Sequence, residues 1–310
     1  MKRIATIKRW IRMLSGNSVF HMRQAAGKYF DRSSVAGYYS DLRHKVTGDI
    51  LLDDQGVPVN QTNEQKTIYF PITIFQYGLG AYDLFLETQD PIYLDKFMRA
   101  ARWAVQHQGQ EGGWDAFGWC CQTSVPSSMA QGEGTSLLCR AHLVNENGEF
   151  LEKAKKAVAF MLRPVEEGGT ARYFADGTMT LEERPDRTTI LNGFVFSIWG
   201  LYDYWMVSGD ASCKESLDCA VDSLVGMLGR FDCGYWTLYD LAGNLASPFY
   251  HDLHIEQLEA MDYLFEKEPL KRYIVRWKHY QSSFFSAKRA LVVKAFQKLG
   301  TLSTEASLIK

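Results

Sequence analysis

Three short stretches of the 310-residue sequence set acid–base side chains beside aromatic ones: Glu182-Glu183-Arg184, Tyr239-Asp240, and Tyr250-His251 with His254 close behind. A carboxylate accepts protons, a phenol donates them or accepts them where cations lower its pKa, and an imidazole does either near neutral pH. Capping and packing would also account for each stretch taken alone. No phosphate loop, dinucleotide fingerprint, nucleophile elbow or zinc protease motif is present, so the usual nucleotide-using and hydrolase classes lose support.

These stretches can act together only if the chain gathers helix starts and loops at one rim. From Pro71 the apolar spacing predicts helices over 72–87, from the Asp90-Pro91 cap to about His107, and over 128–144, 149–162, 190–207, 211–228, 251–265 and 269–280. A hairpin is expected at Ala171–Thr180, turning on Asp176-Gly177, and a small β element at Ile50–Val59 around Asp53-Asp54-Gln55-Gly56. Long helices with short connections stack in antiparallel pairs, and such pairs can close into a ring around a pocket. The expected fold is mainly α, an α/α-barrel built from about four helical hairpins with small β-hairpin elements. An open solenoid is the alternative, but no fixed-period repeat supports it. The expected division is an N-terminal helix and small β element packed on the barrel (1–66), the barrel itself (67–283), and an amphipathic helix with a frayed tail (284–310).

Composition is that of a globular protein, and a net charge of −2 argues against a broad nucleic-acid-binding face while leaving room for a local basic groove. The six cysteines have no zinc-type spacing and no secretory leader precedes them, which suggests reduced thiols in the cytoplasm. No transmembrane segment is expected. Basic residues with Ile4, Ile7, Trp10, Ile11 and Leu14 at helical spacing suggest a helix docked on its own domain, or weakly on a membrane surface.

Seven segments in order resemble the C-terminal catalytic region of the D-glucuronyl C5-epimerase family, the heparan sulfate and heparosan epimerases. They are TIYFPITIFQYGLGAYD (67–83), WAVQHQGQEGGW (103–114), SSMAQGEGTSLLCRAHL (127–143), ILNGFVFSIWGLYDY (190–204), TLYDL (237–241), NLASPFYHDLHIEQL (244–258) and VRWKHY (275–280). The resemblance implies an α/α-barrel isomerase that inverts C5 of uronic acid residues in an acidic polysaccharide, with heparosan as the default polymer and a homodimer as the assembly. Animal members carry a membrane anchor and a β-rich domain after the QYGL segment, so a minimal, unanchored version is implied here.

Such a reaction removes the proton beside a carboxylate and returns one to the opposite face, so it needs donors or cations on the developing dianion and two acid–base groups across the ring. No redox step occurs and no metal-ligand spacing is visible, so neither cofactor nor metal is expected. By motif, the resemblance implies Glu183, Tyr239 and Tyr250 as catalytic residues, with Glu183 and Tyr250 as the facing pair. It implies Asn192 near the substrate carboxylate, His251 and His254 orienting Tyr250 or titrating, and Tyr69, Gln76 and Tyr77 along the substrate path; Arg43 and His44, before the matched segments, would bind glycan carboxylates or form a surface salt bridge.

Two departures touch this chemistry. The family has Glu-Tyr-Pro where this chain has Glu183-Arg184-Pro185, and Tyr-Asp-Leu-Arg-His where it has Tyr239-Asp240-Leu241-Ala242-Gly243. Arg184 would then replace the lost arginine, an idea that unchanged turnover in Arg184→Ala would refute. The interval from Arg184 to Asn192 is also shorter, which leaves Glu182 as the alternative to Glu183. A uronate lyase, a glycoside hydrolase or a non-catalytic glycan-binding protein are the competing readings.

Overall fold

The computed structural model of the protein describes residues 24–121, 123–146 and 148–300; the basic segment Met1–Leu14 and the last ten residues lie outside these. Two elements recur at the turns. Helices α2 (Pro71–Thr88), α4 (Ser128–Asn145), α6 (Leu191–Ser208) and α8 (Pro248–Phe265) each end on a left-handed residue, namely Gln89, Glu146, Gly209 and Glu266. That conformation stops a helix and lets its last carbonyls find donors. The chain then returns through α3 (Pro91–His107), α5 (Gly148–Leu162), α7 (Ala211–Met227) and α9 (Glu268–Ser282). Asp90 and Asp210 cap α3 and α7 by accepting backbone N–H groups. The result is four helical hairpins.

The two sets of helices differ in composition. In α4 every residue from Ser128 to Ala141 is buried, and in α6 every residue from Leu191 to Tyr204, so these helices lie inside. The return helices are buried along one stripe only, for example Phe97, Ala100, Ala101 and Ala104 of α3. The fold is an α/α-barrel with α2, α4, α6 and α8 as its parallel inner staves. Helices α4 and α6 approach so closely that a Cβ on Gly200 would lie 2.4 Å from Gly132 Cα. Ser197 donates to Ser128 across the same contact at 2.8 Å.

The C-terminal ends of the inner staves are floored by residues 24–48, which include the short α1 (His44–Thr47). Tyr38 N–H donates to Asp83 of α2, Ala26 N–H to Glu256 of α8, and the Tyr39 hydroxyl to Asp203 of α6 at 2.5 Å. Arg140 of α4 pairs with Asp203 at 2.6 Å, both side chains wholly buried, and donates to the carbonyls of Ala36, Gly37 and Ser136. The opposite, N-terminal ends of the staves face the loops that carry the acid–base stretches.

Most predicted helices lie within a residue or two of expectation. Helix α8 begins three residues early because Ser247 caps it and Pro248 takes its first turn, and α7 tightens after Met227 into a 3-10 turn. The predicted hairpin is present as β3 (Ala171–Tyr173) and β4 (Met179–Leu181). At Ile50–Val59 the turn forms, but pairing is a single bridge from Leu52 to Pro58. The ladder lies beyond, between β1 (Asn60–Gln61) and β2 (Thr67–Ile68). Helix α10 (Phe284–Gly300) packs Ala287, Ala290 and Val293 into a satellite cluster with Trp236, Leu245 and Ala246. No helix among the described residues is long and apolar enough to cross a membrane.

Candidate active site

Strand β4 runs directly into the mouth of the barrel, and alternation sends its next two side chains apart. Glu182 is turned to the hairpin side, where its Oε1 accepts from Thr180, Thr189 and Arg172. Glu183 reaches the start of α6, where Asn192 Nδ2 donates to its Oε2 at 3.5 Å. The space for it is left by Gly193, on which a Cβ would lie 2.5 Å from that oxygen. Burial pushes Glu183 up to about 7, against the opposing pull of Arg184, Arg187 and the Asn192 amide.

Tyr239 is fixed by backbone pairing of its loop to the entrance of α6: Leu191 N–H donates to its carbonyl at 3.1 Å and Leu241 N–H to that of Thr189. Its hydroxyl is hydrogen-bonded to that of Tyr250, on the first turn of α8, and the two rings lie 4.7 Å apart. Burial first, then the Glu183 charge and Tyr250, hold the Tyr239 phenol well above its usual range. Gln257, two turns further along α8, donates to the Asn192 carbonyl at 3.2 Å. Glu183, Asn192, Gln257, Tyr250 and Tyr239 thus form one connected group at the mouth.

Behind Tyr250 lies a relay whose proton positions follow from chemistry. The Trp277 carbonyl can only accept, so His251 carries its proton on Nε2, 3.1 Å away. Its Nδ1 then accepts from the Thr237 hydroxyl at 2.9 Å, and that oxygen accepts from Nδ1–H of His254 at 3.1 Å. His254 Nε2 is left as a buried lone pair without a donor. Burial keeps both rings neutral, with His251 lowered to about 4 and His254 well below the ordinary value. Stacking of His251 on Trp236 at 3.7 Å completes the support.

A sequence profile of the D-glucuronyl C5-epimerase C-terminus matches residues 99–279. The chain belongs to that family. The D-glucuronyl C5-epimerase of Caenorhabditis elegans is 30% identical over 213 residues, which cover 58% of this chain and 34% of that one. The chain therefore spans about a third of that relative's length. In fold it is similar to the cellobiose 2-epimerase of Bacillus thermoamylovorans, with a TM-score of 0.54 at 13% identity over 77% of this chain and 70% of that one. The Lin0763 protein of Listeria innocua gives 0.54 at 11% identity over 76% and 74%.

Not every candidate residue in the sequence joins the group. Arg184 approaches Glu183 electrostatically but is held bidentate by Asp186, at 2.8 and 3.1 Å, and lies against the Phe117 ring. Gln76 points inward and donates to Glu133 at 2.9 Å. Tyr77 is buried within electrostatic reach of Arg99 and Asp95 on α3. Tyr69 is 46% exposed, stacks near Trp103 and donates to Asp53. Arg43 forms ion pairs with Asp41 and with Glu87 at the end of α2 remote from the mouth, and the adjacent His44 is exposed.

Other inward groups escaped sequence reasoning. Glu133 of α4 is wholly buried, its Oε2 has no partner, and burial raises its carboxyl well above the usual range, with a smaller contribution from Glu183. Lys45 lies within electrostatic reach of it and is lowered by burial to about 8. A recess of about 430 Å³ lined by Arg32, Glu259, Asp262, Tyr263 and Glu266 lies on the outside of α8 and α9 and touches none of these groups. Among the described residues no cluster of His, Cys, Asp and Glu could hold a metal ion.

Proposed function

We propose that the chain inverts C5 of uronic acid residues in a polysaccharide. The observation that carries this reading is a buried carboxyl poised near neutral pH, Glu183, in the same mouth as the hydrogen-bonded phenols Tyr239 and Tyr250, in a chain of this family. A general base works best when its pKa lies near the working pH, and a phenol held high stays protonated and can serve as the acid.

In the proposed step Glu183 takes the C5 proton and the C–H electron pair moves into the carboxylate. Tyr250 delivers a proton to the opposite face, with Tyr239 donating to the oxygen that loses it. Turnover leaves one proton too many on Glu183 and one too few on the phenols, so exchange with solvent must reset the site. In the reverse direction the roles interchange. Arg184, with its charge shared by Asp186, and Asn192 are the proposed groups beside the substrate carboxylate. Heparosan as polymer, the cytoplasm as compartment and a homodimer as assembly belong to this proposal as well.

Glu133 supports a second reading. A glycosidase needs two carboxyl groups straddling a bond, and Glu133 is a buried carboxyl within electrostatic reach of Glu183. Product analysis separates the cases: incubation with heparosan should give iduronate within chains of unchanged length. Shortened chains with unsaturated non-reducing ends would show a lyase instead, and shortened chains with saturated non-reducing ends a hydrolase.

A further inference from the structure

Helix α10 is held to the barrel by one face and presents another of opposite character. On the docked side Ala290 is buried among Trp236, Leu245 and Ala246. Gln297 accepts from Leu245 N–H at 2.9 Å and donates to the Gly243 carbonyl, while Lys294 donates to the Leu245 carbonyl. The helix is therefore clamped onto the loop that leads from Tyr239 into α8, in a fixed rotation about its axis.

That rotation turns large apolar groups to solvent. Phe284 is 68% exposed, Phe285 84%, Val292 55% and Phe296 71%. At 100° per residue, Phe285, Val292 and Phe296 fall within a narrow sector, flanked by Phe284 and Lys288 on one side and Arg289 on the other. Over residues 284–300 the charged residues are Lys288, Arg289, Lys294 and Lys298, with no Asp or Glu. Isolated exposed apolar residues need no explanation, but a stripe of Phe285, Val292 and Phe296 on one clamped helix, with Phe284 beside it, does.

We propose that the outer face of α10 docks on an anionic lipid surface, lying in the headgroup layer with its phenylalanines inserted and Lys288 and Arg289 on the phosphates. An amphipathic helix with aromatic residues on one side and cations beside them, too short and too polar to span, has the physical form of an interfacial anchor. A second copy of the chain fits less well, because a two-fold contact of this face with itself would set its cations against like charges. An acidic polysaccharide would engage the cations but leave the phenylalanines in water.

The test is sedimentation of the full-length protein with vesicles of phosphatidylcholine and phosphatidylserine, against vesicles of phosphatidylcholine alone. Binding to the anionic vesicles is expected, with a loss of about tenfold or more in affinity in Lys288→Glu with Arg289→Glu, and a comparable loss in Phe285→Ser with Phe296→Ser. Lys288, Phe285 and Phe296 turn to solvent, whereas Arg289 also stacks on Tyr235 at 3.8 Å, so Lys288→Glu alone, which should also weaken binding, accompanies the double change, and circular dichroism checks that the variants fold. Absence of binding by the unaltered protein, or binding insensitive to the phenylalanine substitutions, would overturn the proposal. So would a concentration-dependent dimer, in sedimentation velocity without lipid, that the phenylalanine substitutions dissolve. Displacement from vesicles by heparosan without any effect of the phenylalanine substitutions would assign the surface to the polysaccharide instead.

Discussion

Glu183→Gln is expected to lower C5 proton exchange by about a thousandfold, the middle of the range for a general acid–base group, while making the protein more stable in mild alkali. Both effects have one cause. Burial raises the folded carboxyl to about 7, whereas in the unfolded chain it returns to roughly 4.3. Between these values the native state holds a proton that the unfolded state has released, so stability falls as pH rises through the window. The cost is absent below the unfolded value and complete above the folded one. Glutamine carries no such cost. The variant should gain on the order of 2–4 kcal/mol at pH 8 and nothing at pH 4, as read by chemical denaturation at the two pH values. For the unaltered protein, kcat/KM should fall about tenfold per pH unit below about 7, where the base is protonated. A variant with ordinary exchange, or with no pH-dependent gain in stability, would remove Glu183 from the role proposed for it.

Asp203→Asn is expected to have the largest effect on stability, far from the mouth. It removes the carboxylate that is ion-paired with the wholly buried Arg140 guanidinium, and breaking a buried pair by removing one partner costs about 3–5 kcal/mol. For a chain of this size that corresponds to a fall in Tm of about 5–8 °C. Replacing both partners, as Arg140→Met with Asp203→Leu, should cost less than the single change, because no charge is then stranded. Breaking the exposed Lys214–Asp218 pair on α7 should cost about 0.5 kcal/mol or less. Thermal melts of the variants check the order. If Asp203→Asn melted with the Lys214 variant, the floor of the barrel would not depend on that pair.

The helical frame was legible because caps and spacing are local signals. Asp90-Pro91 announces α3, and Asp176-Gly177 announces the hairpin that delivers Glu183. What a single sequence hides is which face of a fully buried stave looks into the barrel. Every side of α4 is covered, so no periodicity distinguishes Glu133 from its neighbours, and its inward carboxyl becomes visible only with Gln76 opposite. Proximity along the chain also misleads at the ends of staves. Arg43 and His44 lie at the floor with Glu87, while Lys45, next in sequence, comes within reach of Glu133. The residue types mark Glu183, Tyr239 and Tyr250 as candidates, but the family resemblance and not spacing groups them with Asn192, since separate loops and helix starts bring them together. The backbone pairing of Leu191 with Tyr239, the absent side chain at Gly193 and the Ser247 cap on α8 give those positions a physical reason.

The most direct measurement is incubation of the purified protein with heparosan in deuterated water, reading deuterium at C5 of the uronic acid by NMR or mass spectrometry. Incorporation into chains of unchanged length is expected, lost in Glu183→Gln and in Tyr250→Phe. No incorporation at C5 into heparosan or into other uronic acid polymers, with the protein folded and binding them, would contradict it and leave a glycan-binding barrel.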